Sequence, residues 1–442
     1  MARGPKHTRR EFLRKTSVAS VAALAVPYFV PVHVLGGKAG PAPSDKLGIG
    51  VIGTGGMGRG HLGWITGQPD LVTRAVCDVD KGHLKQALDM AQGTENGKEC
   101  QGYADYRELL ARPDIDAVWV VTPDHWHGLI TVAAAKAGKD IYCQKPLANS
   151  IGEGRAMVDA AKKYDRVLQC GSQERSTPTV RYACELVRNG KLGEIKTIQV
   201  NLPCDDGHHN EARSRQGKAA TVKVPPELDY NFWLGHTEEV PYAENRCHFW
   251  WRFNSRYGAG EMTDRGAHVI DIAQLALDMD NSGPIEYQAE GVPLQGDLYD
   301  AFMDFTFENV YPNGVRMIGH KTGPRGIKFE GTDGSVFVHI HGGKLEADPV
   351  SLLDTKWTDN DVQLGRTDDH QRNFLDCVRS REVPFAGGEV GHRTGTLCQL
   401  NVIAMRLGRP LKWDPVAEKV IDDEEANEYL MPKMRAPWTL DA

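Results

Sequence analysis

LGIGVIGTGGMG, at residues 47–58, joins an apolar run to a cluster of glycines. A helical pattern begins near Arg59, so the glycines lie in the turn between a strand and a helix. There a glycine loop binds the pyrophosphate of a dinucleotide, because the free N–H groups and the dipole of the helix N-terminus favour an anion. Gly53 suits the tight turn, Gly55 the close approach of the pyrophosphate, and Gly58 the packing of helix against strand. The predicted loop consists of Gly53, Gly55, Gly56, Met57 and Gly58.

A carboxylate follows the next predicted strand. The run Val72–Cys77 is typical of a buried strand, and Asp78 comes directly after it. A carboxylate there accepts hydrogen bonds from both ribose hydroxyls of NAD, whereas the 2′-phosphate of NADP would meet a like charge. Lys81 is close enough in sequence to weaken this preference. We therefore predict NAD as the cofactor, with NADP not excluded.

Strand and helix patterns alternate as far as residue 173, which predicts a doubly wound parallel sheet. A capping box, Ser150 with Glu153, marks the start of one of its helices. Later runs, such as residues 301–307 and 335–340, alternate in polarity like antiparallel strands with one covered face. The chain has 442 residues, of which 40% are hydrophobic, enough for two domains. The predicted class is α/β, with an N-terminal Rossmann domain at 45–173 and a C-terminal α/β domain, its sheet largely antiparallel, at 174–442.

A lysine and a histidine-rich loop follow two strands of the predicted parallel sheet. Lys145 ends the strand Asp140–Gln144, and Pro146 turns the chain there because proline fixes φ and lacks a donor. The loop TPDHWH, residues 122–127, follows the preceding strand. Ligands of such sheets bind at the carboxyl edge, although a solvated strand-end lysine is the plain alternative. From this loop and strand end we predict cofactor contacts by Thr122, Pro123, His127 and Lys145.

A second group of titratable residues lies in GEMTDRGAH, residues 260–268. Spacings of four and three place Asp264, His268 and Asp271 on one face of a helix. His268 is the natural general base, because its ordinary pKa is near neutrality and a neighbouring carboxylate can orient its ring. A capping aspartate beside a core histidine is the alternative. Two further histidine pairs, at 125/127 and 208/209, lack a third ligand, so no metal is predicted.

The N-terminus predicts export. Arg9-Arg10 precedes a weakly apolar segment, residues 18–30, and a linker rich in proline and glycine that runs to Ser44. Paired arginines in this setting are typical of a twin-arginine signal, so residues 1–44 are predicted to be signal and linker. The expected partner is the twin-arginine machinery and the expected location is the periplasm; an uncleaved anchor is the alternative. Outside the basic N-terminus the chain is more acidic than its net charge of −7, so no nucleic acid is expected.

These motifs together resemble the Gfo/Idh/MocA oxidoreductases, from about Asp45 to the C-terminus. The resemblance implies a Rossmann domain followed by an α/β domain whose open, largely antiparallel sheet often makes an oligomer interface, so a homo-oligomer is expected. It also implies that Lys145 lies at the nicotinamide and the substrate hydroxyl, with Asp264 and His268 positioning and deprotonating that hydroxyl. In two departures from the family, Gln144 replaces a glutamate and Arg265 replaces the tryptophan usual in exported members.

The expected function is an exported NAD(P)-dependent oxidoreductase that acts on a secondary alcohol of a sugar or polyol by hydride transfer, with a tightly held cofactor. The aromatic run His248–Phe253 either stacks on the sugar or packs in the core. A redox-neutral glycosidase of the same family, which oxidises C3, eliminates the aglycone and returns the hydride, is the alternative. A non-catalytic sugar- or cofactor-binding protein is a third class. The nine cysteines form no CxxC pair and are expected to be buried thiols.

Overall fold

The computed structural model describes residues 45–215, 219–341, 343–365 and 367–440. The predicted signal and linker, residues 1–44, lie outside these ranges. Contacts divide the chain between Lys46 and Leu47, and every element described below belongs to the second unit. Within the described ranges, no helix combines the length and the apolar character that crossing a membrane requires.

Six parallel strands form the first sheet, in the order β3-β2-β1-β4-β5-β6. They are β1 (Leu47–Ile52), β2 (Leu71–Cys77), β3 (Gln101–Tyr103), β4 (Ala117–Val120), β5 (Asp140–Cys143) and β6 (Leu168–Cys170). This order confirms the predicted doubly wound sheet. It reverses between β1 and β4, so the ligand crevice lies at the carboxyl ends of these two strands. The sequence did not reveal β3, because it is short and mostly exposed.

The helices are numbered in chain order. They are α1 (Gly56–Thr66), α2 (Lys81–Gln92), α3 (Tyr106–Leu110), α4 (His127–Lys136), α5 (Ile151–Lys163), α6 (Pro178–Arg188), α7 (Gly207–Ser214), α8 (Tyr230–Leu234), α9 (Glu261–Asp264), α10 (Gly266–Leu277), α11 (His370–Ser380), α12 (Gly388–Leu407) and α13 (Glu424–Glu428). The side chain of Asp80 caps α2, and Ser150 caps α5. The Ser150 hydroxyl also donates to the Glu153 carboxylate at 2.7 Å, so the predicted start of α5 is confirmed.

Nine strands form the second sheet, in the order β13-β12-β11-β7-β10-β9-β8-β14-β15. They are β7 (Ile195–Asn201), β8 (Glu286–Pro293), β9 (Phe302–Val310), β10 (Arg316–His320), β11 (Gly326–Gly331), β12 (Ser335–His339), β13 (Leu345–Asp348), β14 (Leu411–Asp414) and β15 (Lys419–Val420). Only β7 and β10 pair in parallel, so the largely antiparallel sheet is confirmed. The inward positions of its strands are mostly apolar and pack with α6, α10 and α12, whereas most outward positions carry polar and charged side chains. Asn309 is a buried polar exception, and Phe337 is an outward apolar one.

One helix from the later half of the chain packs on the first sheet. The Phe374 ring of α11 lies 5.1 Å from the Trp119 ring of β4 and 5.9 Å from the Tyr142 ring of β5, measured between centroids. Leu375 and Val378 belong to the same buried cluster. Part of the apolar cover of the parallel sheet on this side therefore comes from far along the chain, and α1 and α2 supply the rest.

All nine cysteines of the chain are free and buried. Burial raises the pKa of several of these thiols, for example that of Cys100 to about 12. A buried thiol of high pKa stays protonated and unreactive. The expectation of buried thiols is therefore confirmed.

Candidate active site

A cleft of about 410 Å³ lies at the carboxyl ends of β1 and β4. Its wall combines the glycine loop, the residues after β2, β4 and β5, and a later segment of the chain. Of the residues predicted from the sequence, the cleft is lined by Gly53, Gly55, Gly56, Met57, Asp78, Thr122, Pro123, Lys145 and Asp264. The structure thus brings these residues together on one surface, whereas it places Gly58, His127 and His268 off this wall.

The glycine loop has the shape that a pyrophosphate needs. Gly53 has a φ of 86°, a conformation that side chains rarely adopt. A Cβ on Gly58 would lie 2.0 Å from the carbonyl oxygen of Gly53, so only glycine allows α1 to pack this close to the turn. At Gly55 and Gly56 a Cβ would meet no atom of the described part of the chain within 4 Å and would fill the cleft instead. Among the described residues no side chain caps α1, so its first N–H groups are available to the phosphates, and the loop fits NAD.

Asp78 is held beside this loop. Its Oδ2 accepts hydrogen bonds from the backbone N–H of Thr54 at 2.7 Å and from the Thr54 hydroxyl at 3.1 Å. Its Oδ1 accepts one from the N–H of Asp80 at 2.9 Å. These three bonds fix the carboxylate at the position where it would accept hydrogen bonds from the ribose hydroxyls. The orienting role of Thr54 was not predicted, because a threonine inside a glycine loop gives no separate signal.

Lys145 and Asp264 form an ion pair on the cleft wall. The Nζ of Lys145 donates to the carboxylate Oδ1 of Asp264 and, at 2.8 Å, to its backbone carbonyl. The Nε of Arg252 lies 3.4 Å from the other carboxylate oxygen. Burial alone would raise the pKa of Asp264, but the charges of Lys145 and Arg252 outweigh it and hold that pKa well below its usual range. Asp264 is therefore ionised throughout the physiological range.

The predicted stripe of Asp264, His268 and Asp271 is corrected by the structure. The helix is interrupted, since α9 ends at Asp264 and α10 begins at Gly266. Asp271 lies in the core, where it accepts hydrogen bonds from Arg175 at 2.7 and 2.8 Å and from Thr394 at 2.8 Å. Asp271 is thus a structural ion-pair partner. Sequence spacing missed this because Arg175 is distant in the chain.

His268 is buried and neutral. Burial, the charge of Lys145 and the nearby His341 lower its pKa well below the usual value. Its ring meets that of His341 edge to face, with centroids 5.3 Å apart, and its Nδ1 has no hydrogen-bond partner among the described residues. The carboxylate of Asp264 faces Lys145 and Arg252, so it does not orient the His268 ring as the sequence suggested.

His127 supports the cleft from behind. The ring is fully buried, with Nδ1 2.9 Å from the carbonyl oxygen of Pro146 and Nε2 3.0 Å from that of Thr122. It therefore joins the loops after β4 and β5. This geometry replaces the predicted cofactor contact of His127 with a positioning role.

Gln144 belongs to a neutral chain of hydrogen bonds. Its side-chain Nε2 donates to Nε2 of His61 at 2.7 Å, so the Nδ1–H of His61 donates to Oε1 of Gln371 at 2.8 Å. Burial lowers the pKa of His61, which favours this uncharged arrangement. A glutamate at 144 would have to accept from His61 and would reverse the chain. Glutamine at position 144, in place of the family glutamate, therefore fits the hydrogen-bonding groups of His61 and Gln371.

The later segment on the cleft wall is residues 219–257, here named the strap. It is hydrogen-bonded to the loop after β2, with Lys81 N–H donating to the carbonyl of Glu227 and Asp229 N–H to that of Val79, both at 3.0 Å. The strap contributes to the cleft Leu228, Phe232, Trp233, His248, Phe249, Trp251 and Arg252. Phe253 of the aromatic run is in the core, whereas Phe249 is 44% exposed on the cleft, so stacking of this run on a sugar stays a prediction.

Comparisons with known proteins agree with this architecture. Residues 47–172 match the family model described as an oxidoreductase family NAD-binding Rossmann fold, and residues 177–440 match the C-terminal alpha/beta domain of the same family. Levoglucosan dehydrogenase of Pseudarthrobacter phenanthrenivorans is 35% identical over 243 residues, which are 53% of this chain and 52% of that protein. The inositol 2-dehydrogenase/D-chiro-inositol 3-dehydrogenase of Lactiplantibacillus plantarum is 29% identical over 42% of this chain and 51% of its own length. The chain thus spans about half the length of these curated relatives.

Solved structures share the fold. A levoglucosan dehydrogenase in complex with NADH and levoglucosan has a TM-score of 0.62 and 20% identity, over 84% of this chain and 100% of that one. An aldose-aldose oxidoreductase from Caulobacter crescentus has a TM-score of 0.58 and 20% identity, over 83% of this chain and 99% of that one. At these identities the likeness concerns the fold alone.

Proposed function

Because the chain belongs to the Gfo/Idh/MocA oxidoreductase family, we propose that it oxidises a secondary alcohol of a sugar or polyol. The observation that carries this proposal is the Lys145–Asp264 ion pair on the wall of the cleft that the glycine loop and Asp78 also line. NAD, when bound, accepts the hydride of the alcohol carbon. The inositol and levoglucosan dehydrogenases among the relatives favour a polyol or anhydrosugar as the substrate class.

Side chains of the protein then take up the proton of the substrate hydroxyl and stabilise the charge that develops on its oxygen. The Nζ of Lys145 stabilises the negative charge that develops on the substrate oxygen, and Asp264 holds this ammonium in place. His268 lies behind the cleft wall, so it accepts the hydroxyl proton by way of Lys145, whose charge acts on its neutral imidazole. The charge of Lys145 opposes protonation of His268, so the proton leaves readily.

Asp264→Asn and His268→Ala are each expected to lower the rate of reduction of bound NAD, with losses that do not multiply in the double variant. Both side chains act on one hydroxyl through Lys145, so removal of one leaves little for the other to contribute. Stopped-flow reduction with saturating substrate measures the four rates. Asp271→Asn is the matched control, because it disturbs the buried Arg175 pair and should lower stability without this kinetic signature. A double variant that loses the product of the single losses would show that the two residues act separately.

Gln144→Glu is expected to make stability depend on pH. The new buried carboxylate accepts a hydrogen bond from His61 and its negative charge favours the charged imidazolium, so the folded-state pKa of His61 rises. A histidine whose pKa is raised in the folded state stabilises that state at low pH, and this stabilisation is lost as the pH rises. The melting temperature of Gln144→Glu should therefore fall between about pH 6 and pH 8. Calorimetry of the parent, of Gln144→Glu and of the double variant with His61→Gln provides the measurement, and the part of the dependence that His61 carries should vanish in the double variant. Equal pH profiles for all three proteins would contradict the neutral chain.

We also propose that the enzyme is exported and keeps its cofactor. The paired arginines favour export, and the strap that lines the cleft favours slow release of the nucleotide. A cofactor that stays bound must return each hydride, either to a second carbonyl compound or to the same molecule later in its cycle. A sugar–sugar oxidoreductase or an oxidise-eliminate-reduce glycosidase fits this better than a simple dehydrogenase.

The test begins with the dialysed, full-length protein. After denaturation, its supernatant should contain close to one nicotinamide nucleotide per chain; a near-empty supernatant, with activity that requires added NAD, would overturn the proposal of retention. Sugars and polyols are then screened by the absorbance of the reduced bound cofactor. A signal that persists until a carbonyl acceptor is added supports net oxidoreduction. Release of aglycone from glycosides, without lasting reduction, would select the glycosidase instead.

A further inference from the structure

Three potential metal ligands meet where the strap crosses the N-terminus of α2. They are Asp80, which caps α2, His83 in its first turn, and His248 of the strap. One ligand atom from each residue lies within 4.8 Å of the other two. Oδ2 of Asp80 is 3.7 Å from Nε2 of His248, and the two imidazole rings meet edge to face with centroids 4.8 Å apart.

The Asp80 carboxylate is oriented to bind a metal ion together with His248. Its Oδ1 accepts from the N–H groups of Gly82 and His83 at 2.8 and 2.9 Å, which leaves Oδ2 on the side of His248. No lysine or arginine of the described residues pairs with Asp80. A second carboxylate, Asp78, lies 3.8 Å from Nδ1 of His83 and adds to the local negative charge.

A similar cluster, Asp206 with His208 and His209, differs in its charge. Arg265 lies 2.7 Å and Arg325 3.4 Å from Oδ2 of Asp206, and both also pair with Glu261, so guanidinium groups already neutralise the carboxylates of this cluster. This difference in charge favours the cluster of Asp80, His83 and His248 as the cation site.

We propose that Asp80, His83 and His248 bind a divalent transition metal ion, with Zn²⁺ as the ion that two imidazoles and one carboxylate suit best. Zinc bonds of about 2.0 to 2.1 Å place ligand atoms about 3.3 Å apart, so the ligand atoms, which now lie within 4.8 Å of one another, have to approach by up to about 1.5 Å. His248 is on the surface and can turn by that amount. Three protein ligands leave a position for water.

The ion would act as a clasp on the cofactor cleft. All three ligands line that cleft, with His248 on the strap and the other two on α2 and its cap. The strap is already held to Val79 and Lys81 by backbone hydrogen bonds and to Trp126 by the bond from its Nε1 to the carbonyl of Trp233. The ion would add an attachment to α2 some twenty residues beyond the first of these contacts. Removal of the ion should therefore speed the release of the nucleotide. This consequence rests on the proposed cofactor retention, whereas ion binding itself does not.

The first experiment measures ion binding without substrate. The full-length protein is freed of metals with a chelator and titrated with Zn²⁺ by calorimetry and with Co²⁺ by visible absorption. We expect one ion per chain in the parent and loss of this binding in His248→Ala and in Asp80→Asn, which keeps an N-cap. His208→Ala, in the second cluster, is the matched control and should bind like the parent. No saturable binding in the parent, or binding lost only in His208→Ala, would overturn the site.

The second experiment measures the release of bound nucleotide with and without Zn²⁺. Zinc should slow the release from the parent and should leave the rate from His248→Ala unchanged. Stoichiometric zinc binding with equal release rates would overturn the clasp. The ion titration depends neither on turnover nor on a substrate, so its failure is distinguishable from failure of the proposed oxidoreductase activity.

Discussion

Lys145→Met is expected to lower turnover by about 10²- to 10³-fold, the usual cost of removing one preorganised electrostatic group at a reacting oxygen. Methionine has a similar length but carries no charge and donates no hydrogen bond. Asp264 would keep Arg252 as its partner, at 3.4 Å, so its carboxylate is not left alone. Lys145 contacts the cleft rather than the core, so the melting temperature and the nucleotide content should change little.

Single-turnover reduction of the bound cofactor gives the rate, and calorimetry gives the stability. Lys139→Met is the matched control. The Nζ of Lys139 donates to the carbonyl oxygens of Arg112 and Ile115 at 2.6 and 2.9 Å, so its loss should lower stability and leave the rate of the folded protein unchanged. If Lys145→Met keeps a rate within twofold of the parent, Lys145 has no part in the chemistry.

Gly58→Ala is expected to remove most of the bound nucleotide. The added Cβ would lie 2.0 Å from the carbonyl oxygen of Gly53, and backbone cannot turn aside as a side chain can. Either α1 moves away from the turn or the turn changes shape, and both displace the N–H groups that face the phosphates. Overpacking of this kind costs about 1 to 3 kcal/mol of stability as well.

Gly60→Ala provides the control on the same helix. A Cβ at Gly60 would meet no atom within 4 Å, so alanine should keep the nucleotide and raise stability by about 0.5 to 1 kcal/mol. Nucleotide released by denaturation is measured for both variants. A full equivalent of nucleotide in Gly58→Ala would mean that the loop tolerates a side chain and does not hold the phosphates closely.

The sequence predicted those parts of the molecule that depend on local pattern. The strand that ends at Ile52, the glycine turn after it and the carboxylate of Asp78 follow from periodicity and spacing, and the parallel sheet confirms the fold. Exposed or short strands such as β3 and β15 have no apolar run and were not found. The antiparallel sheet was predicted in type, but not in its full set of strands.

The site was predicted only where its residues carry a motif. Lys145 and Asp264 stand in recognisable stretches, and the structure brings them into contact. Arg252 pairs with the same carboxylate, yet its position inside an aromatic run gave no sign of this. Asp271 was misassigned, because no spacing reveals that Arg175 reaches it in the core. Contacts between segments a hundred residues apart are decided by packing, which one sequence does not display.

The packing of α11 on the first sheet has a consequence for biosynthesis. Strand β6 ends at Cys170, but the helix that covers Trp119 and Tyr142 is complete only at Ser380. At typical elongation rates, roughly 10 to 40 s separate the emergence of these two elements from the ribosome. During this interval the nascent sheet presents two large aromatic rings to water, a surface that chaperones recognise. A fragment that stops near residue 173 would keep this exposure permanently, so the nucleotide-binding half should be insoluble when it is produced alone.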